Sequence, residues 1–288
     1  DKYAILELGA SKPGEIKKLC DVFKPKYAII TNISNAHIQN FKSINDILKT
    51  KLALYESLQD DGVAFIDNDC MYFKDINLNC KKITFSLKND SDFKGRFDTA
   101  KKTLTINNKY QINIPEHLKH LKNLILSTFV ISNHFDIDIS IYQEVINSFQ
   151  LPIGRGRIKR YNECNIIDDS YNANPESMIL GLKRFMAMEL NKKKKILILG
   201  DMLELGDVSN SEHSKIGKFI TNTNFDYMLT YGEKSKLINT NMSNKKIIKR
   251  HFNNFKKLKK IFDDLIKKDD WIYIKGSRSM NLNRLFKK

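Results

Sequence analysis

No run of eighteen apolar residues occurs in this chain, so no stretch is long enough to cross a bilayer as a single helix. The opening DKYAILELGA also lacks the charged, apolar and small-residue order of a secretory signal, and a cytoplasmic location is expected. Cysteine is sparse: Cys20, Cys70, Cys80 and Cys164 are scattered without a CxxC pair, which argues against both a disulfide framework and a zinc knuckle. Phosphate-binding glycine loops are missing too. The nearest approach to GxxxxGK[ST] is the Gly9 and Gly14 spacing, but Glu15 and Ile16 follow it where lysine and a hydroxyl are needed. The GRGR of residues 154–157 has no third glycine and no strand directly before it, so it is not a dinucleotide fingerprint. Neither half carries a complete phosphate cradle, and there is no long internal repeat or low-complexity tail.

What is present is enough for two ordinary domains: 288 residues, 41% of them apolar. The formal net charge of +16 fits either a nucleic-acid binder or an enzyme that handles polyanionic nucleotides. Its distribution favours the second. Lysines are spread along the whole chain, and the one tight block, residues 192–195, precedes a strand without interleaved aromatics, so no nucleic-acid partner is expected.

In order, residues 2–8 read as a buried strand bearing one acid, Glu7, and a turn and a short helix over 15–23 follow. Residues 26–30 form a second buried strand that runs into Thr31, Asn32 and His37. A helix over 44–58 places Lys51 on one side with Ile47, Leu48, Leu54 and Tyr55. After another buried strand, VAFI, the short alternating segments of 82–114 predict a small inserted or appended β-meander, and helices follow over 116–132 and 139–149. Pro152 and GRGR mark the boundary, giving domains 1–150 and 151–288. The second half alternates strand and helix, which predicts βαβ units and a parallel sheet. The fold class is therefore α/β in both halves, the second Rossmann-like and mostly parallel.

Residues 165–178, NIIDDSYNANPESM, pass from strand to polar turn to helix. The strand is expected to stop at Asp168 and Asp169. Asn174 suits an N-cap, Pro175 the first helical position and Glu176 the positive end of the dipole. Met178, Leu182, Phe185 and Met186 give that helix one apolar face. Ligands of open α/β sheets sit beyond the carboxyl ends of strands, which makes residues 168–174 the first candidate site.

At DDSYNANP the sequence resembles the Mur ligases, within them the branch that adds D-alanyl-D-alanine to the UDP-N-acetylmuramoyl tripeptide. The resemblance extends over nearly the whole chain: ELGASKPGEI at 7–16, TNISNAHIQNF at 31–41, the helical Lys51, GDMLELG at 200–206 with His213 after it, and KGSR at 275–278. The DNPR signature of the diaminopimelate-adding ligase is absent. The resemblance implies an ATP-dependent amide-bond ligase: ATP phosphorylates a peptide carboxylate, and the dipeptide amine attacks the acyl phosphate, releasing ADP and phosphate. It implies Mg2+ held by Glu7, His37 and a carbamylated Lys51; adenine at Asn123; ribose at Asp169; and phosphates at Arg155 or Arg157. Tyr171, Asn172 and Asn174 belong to the same nucleotide motif. Lys275, Ser277 and Arg278 are expected to face the dipeptide carboxylate or the transferred phosphate, and Asp201 and Glu204 to position the incoming amine. A monomer without membrane insertion is expected. Another Mur-type or folylpolyglutamate-type ligase, or a non-catalytic nucleotide-binding remnant, is the alternative. The family's UDP-sugar domain and P-loop are not in this chain. It therefore reads as the C-terminal portion of such an enzyme, with a truncated central ATPase domain and no ligase activity by itself.

Overall fold

The computed structural model describes residues 3–33, 40–41, 43–74, 76–190 and 193–287. The chain divides after Phe149 into two compact units.

The first unit is built on a six-stranded sheet in sequence order, β1 to β6. Its strands are β1 (Tyr27–Ile29), β2 (Val63–Asp67), β3 (Lys81–Ser86), β4 (Phe93–Asp98), β5 (Thr103–Ile106) and β6 (Tyr110–Asn113). Pairing is parallel from β1 through β4 and antiparallel from β4 to β6. The meander is therefore narrower than the alternating pattern of 82–114 suggests. Its first segment, β3, extends the parallel sheet, because Ile83 and Phe85 find ladder partners in β2.

Period-two alternation gives β2 two apolar faces. Ala64 and Ile66 pack with Ala28, Ile30 and Tyr55, the last from α2 (Ile44–Glu56). Tyr55 donates to Phe65 O at 2.7 Å and accepts from Ile30 N at 3.0 Å, pinning the helix to β1 and β2. Burial raises that phenol well above its ordinary value. Phe65 meets His134 of α3 (Lys122–His134), and Leu126 of the same helix lies over Gly95 of β4. Helix α4 (Ile139–Ser148) guards the edge strand β6, since Gln143 both accepts from Asn113 N and donates to Asn113 O. The first helix, α1 (Glu15–Phe23), buries Ile16 and Cys20 against α2.

Residues 3–10 form no strand, which corrects the expectation for 2–8. Ile5 is 99% exposed, and none of the described strands pairs with this segment. An apolar run becomes a strand only where a neighbour supplies ladder hydrogen bonds.

The second unit holds β7 (Arg157–Tyr161), β8 (Cys164–Asp169), α5 (Pro175–Met186), β9 (Lys195–Gly200), α6 (Ser209–Thr221), β10 (Tyr227–Tyr231), α7 (Lys236–Asn241), β11 (Ile248–Phe252), α8 (Phe255–Leu265) and β12 (Trp271–Lys275). Its sheet order is β11-β10-β9-β12-β8-β7, all parallel except the β7–β8 hairpin. Leu197, Leu199, Met228 and Tyr273 face α5, α6 and α7. Ile196, Ile198, Leu229, Ile272 and Ile274 face α8 and the C-terminal Leu282, Leu285 and Phe286. The sheet is thus wound on both faces, and β12 returns to lie between β8 and β9, creating the switch in strand order where crevices open. As expected, β8 stops at Asp169, and both acids are its last ladder residues because β12 pairs with both, Ile274 against Asp168 and Lys275 against Asp169.

Candidate functional site

The carboxyl ends of β8, β9 and β12 lie side by side, and the polar side chains of the second unit converge there. Asp169 and Lys275 are register partners, so their side chains leave the same face, the face covered by α5. Lys275 Nζ lies 2.9 Å from Asp169 Oδ2 and also donates to Asn172 O at 3.1 Å. Tyr273, two positions earlier on that face, donates its hydroxyl to the same Oδ2 at 2.6 Å. Burial lowers the Lys275 ammonium from its ordinary value, while Asp169 works in the opposite direction. Burial likewise raises the Tyr273 phenol well above its usual value.

Asp168 points to the other face. It accepts from Ser170 Oγ at 2.6 Å and pairs with Lys159 of β7 at 3.2 Å. Asn174 opens α5: it accepts from Ser177 N at 2.8 Å while Ser177 Oγ accepts from Asn174 N at 3.2 Å, a capping box completed by Pro175. Its amide oxygen is committed to the helix terminus. Asn172 accepts from Ala173 N at 2.8 Å and holds the turn.

The GRGR loop is tied to the end of β8 by two backbone bonds, Tyr171 N to Gly154 O at 2.9 Å and Gly156 N to Asp168 O at 2.7 Å. Gly154 has φ +79°, and a side chain there would also press the Tyr171 backbone at 3.0 Å. This anchoring lays the Arg155 guanidinium over the Tyr171 ring, 4.3 Å from its centroid. Arg278, just beyond β12, lies 5.2 Å from the same centroid. Two cations therefore share one aromatic platform beside the Asp169–Lys275 pair. Arg157 stands apart from this platform in β7, in register with Asp168.

The 201–205 loop belongs to the same end of the sheet. Asp201 is 5% exposed, and its carboxylate accepts from Ser235 N at 2.7 Å. Its carbonyl accepts from Ser277 N at 2.9 Å, and Ser277 Oγ accepts from Leu203 N at 2.8 Å, so Ser277 joins this loop to KGSR. Glu204 is exposed on a left-handed residue, φ +62°. His213 of α6, fully buried, accepts from Met202 N at 3.0 Å and donates from Nδ1 to Ser209 O at 2.7 Å.

In the first unit, Lys51 shares the α2 face with Ile47 and Tyr55 and donates to Asn32 O at 2.6 Å. Burial lowers its ammonium from the ordinary value. Asn123 donates to Asp67 Oδ2 at 2.7 Å, and its buried Oδ1 has no donor. Glu7 is exposed in the strandless 3–10 segment, and His37 lies outside the described residues. Among the described residues no three His, Cys, Asp or Glu side chains gather as a metal ion would require.

Residues 1–134 match the Mur ligase middle domain, and residues 154–278 match the domain described as Mur ligase, glutamate ligase domain. The chain belongs to the Mur ligase family. It is 31% identical to the UDP-N-acetylmuramoyl-tripeptide--D-alanyl-D-alanine ligase of Rickettsia prowazekii, over 99% of this chain and 65% of that protein. It is 34% identical to the Buchnera aphidicola protein of the same name, over 98% and 62%. The chain thus spans just under two thirds of these Mur ligases. Its fold matches crystal structures of MurF from Acinetobacter baumannii, with TM-score 0.82, 20% identity, and 99% of this chain on 64% of that one. A MurF ligase from Thermotoga maritima in complex with ADP matches with TM-score 0.78 and 21% identity, over 96% and 64%.

Sequence reasoning passed over Tyr273 and Gly181, and it gave His213 no role. Tyr273 stands two positions before Lys275 in a strand, and that period-two spacing is the signal that puts both on one face. Among the described residues no helix is long and apolar enough to span a membrane.

Proposed function

We propose that this Mur ligase chain serves ATP-dependent amide-bond formation in peptidoglycan precursor synthesis, joining D-alanyl-D-alanine to UDP-N-acetylmuramoyl-tripeptide. In the proposed reaction a tripeptide carboxylate oxygen attacks the γ-phosphorus of ATP and ADP leaves. The dipeptide amine then attacks the acyl carbon, loses its proton, and phosphate leaves. Every participant is an anion or carries one, and the reaction needs cations to hold them together. The observation that carries this reading is the Arg155–Tyr171–Arg278 stack beside Asp169. Two guanidiniums without a carboxylate partner among the described residues suit phosphate or carboxylate oxygens.

In this reading Asp169 accepts from the ribose hydroxyls, and Arg155 rather than Arg157 meets the nucleotide phosphates. Arg278 takes the transferred phosphate or the dipeptide carboxylate. Asn123 Oδ1, a buried acceptor without a donor, suits the exocyclic amine of adenine. Lys51, desolvated and hydrogen-bonded, is the residue for carbamylation, where its amine adds to carbon dioxide and loses a proton to water. Mg2+ accompanies ATP as counter-charge. UDP-linked substrates of this kind imply a cytoplasmic enzyme, working as a monomer.

The test, run on this chain joined to the UDP-sugar domain and P-loop of a Mur ligase relative, is production of the UDP-N-acetylmuramoyl pentapeptide from tripeptide, ATP and D-alanyl-D-alanine, monitored by ADP release. Arg278→Ala and Arg155→Ala are expected to lower kcat/KM by about tenfold to a hundredfold, the loss of one or two charge-assisted hydrogen bonds. ADP release coupled to glutamate or diaminopimelate instead of the dipeptide would reject the assignment to this branch.

A further inference from the structure

Lys275 follows the last strand and precedes a glycine and a serine, and such a cation ordinarily suggests an anion site. Its surroundings do not fit that role. It is 3% exposed, and its ammonium is already shared between Asp169 Oδ2 and Asn172 O. Tyr273, 2% exposed, aims its hydroxyl at the same Oδ2. Two donors from one face of β12 therefore converge on a single carboxylate oxygen, while none of the described groups hydrogen-bonds Asp169 Oδ1. The Asp169 side chain keeps 13% of its surface accessible, so it is not sealed.

The helix above is cut away to permit this arrangement. A Cβ on Gly181 of α5 would stand 1.8 Å from the Tyr273 hydroxyl and 3.5 Å from Asp169 Oδ2. Glycine costs a helix interior about 1 kcal/mol relative to alanine, so a helical glycine at this contact implies that the hydroxyl below it is worth keeping. A carboxylate gripped by one oxygen loses its χ2 freedom and presents the other in a fixed direction. An unpinned carboxylate would lose that rotational entropy on binding.

We propose that Tyr273 and Lys275 are positioning residues that pin Asp169 by Oδ2, with Gly181 as the clearance they require. Oδ1 is thereby held as the acceptor for the vicinal hydroxyls of a nucleoside diphosphate or triphosphate, and Lys275 itself touches no ligand anion. This rests on the reading of Asp169 as the ribose residue, and it replaces the expectation that Lys275 faces the dipeptide carboxylate or the phosphate.

The experiment measures binding of ADP and of 2′,3′-dideoxy-ADP by equilibrium dialysis at up to millimolar ligand. The proteins are the unaltered chain, Asp169→Asn, Tyr273→Phe and Lys275→Met. The unaltered chain is expected to prefer ADP by about tenfold, the worth of one hydrogen bond to a charged group. Asp169→Asn should abolish the preference. Tyr273→Phe and Lys275→Met should each reduce it to less than about threefold while leaving the dideoxy nucleotide's affinity nearly unchanged. Absence of a preference in the unaltered chain would reject the ribose reading and this inference together. A preference lost in Asp169→Asn but intact in Tyr273→Phe and Lys275→Met would overturn the positioning role alone. Equal weakening of both nucleotides by Lys275→Met would show the lysine to be an anion ligand, and would also overturn it. Should Lys275→Met fail to fold, Tyr273→Phe decides, because it removes a single oxygen.

Discussion

His213 has both ring nitrogens committed to the backbone, Nε2 accepting from Met202 N and Nδ1 donating to Ser209 O, an arrangement only the neutral ring can make. Burial lowers its pKa, with Asp201 and Glu212 opposing and Lys234 assisting. The native state therefore resists protonation while the unfolded state binds a proton near pH 6.5. Its contribution to stability is present above that value and is lost as pH falls below it toward the depressed native pKa. Urea midpoints of the unaltered chain should drop more steeply between about pH 6.5 and 5 than those of His213→Gln. Parallel curves would remove His213 as the cause. Lys51 makes a second residue-level prediction. An amine lowered by burial offers more of its neutral form, and a carbamate N–H would still donate to Asn32 O. Incubation with 13C-bicarbonate should give a carbamate carbon signal that is absent from Lys51→Met; identical spectra would end the proposal.

Helix α5 shows how one element carries both fold and site. Its buried face, Met178, Leu182 and Phe185, packs on the sheet, while Gly181 between them clears Tyr273. Gly181→Ala should gain helix propensity yet lose about 1–3 kcal/mol net from overpacking. Tyr273→Phe added to it should recover part of that loss, and a fully stable Gly181→Ala in urea titration would contradict the contact. Much of this element was legible beforehand: Asn174, Pro175 and the apolar spacing mark the start and inner face of α5, and strand–helix alternation marks the parallel sheet. Other elements were illegible for local reasons. The β7–β8 hairpin turns on Asn162 and Glu163, both at positive φ, and glutamate is not a residue that announces such a turn. Asp168 and Asp169 are legible as the end of β8, but their partners are not, because Lys159 sits in an unrecognised strand and Tyr273 and Lys275 lie far away in sequence. The apolar 2–8 segment reads as a strand because periodicity reports what a segment can bury, not whether a neighbour pairs with it. Asp201 illustrates the same limit within the site, since nothing in GDMLELG reveals that its carboxylate is taken by Ser235 N.

Each unit has its own core: β2 and its neighbours between α2 and α3 in the first, and a sheet covered on both faces in the second. The boundary after Phe149 falls between these cores, and domains with separate cores unfold as separate cooperative steps unless a large apolar interface couples them. The chain's single tryptophan, Trp271, opens β12, where it packs with the second unit's core. Its fluorescence therefore reports the second unit, whereas far-ultraviolet circular dichroism reports helices of both. In urea the two signals are expected to give different midpoints, with dichroism showing a further step that fluorescence does not see. ADP at saturating concentration should move the fluorescence midpoint upward if Asp169 and its pinned carboxylate bind the ribose, because a ligand that binds only the native state stabilises it by mass action. Asp169→Asn should erase most of that shift without abolishing the transition. Coincident midpoints under all conditions would mean that the two units unfold as one.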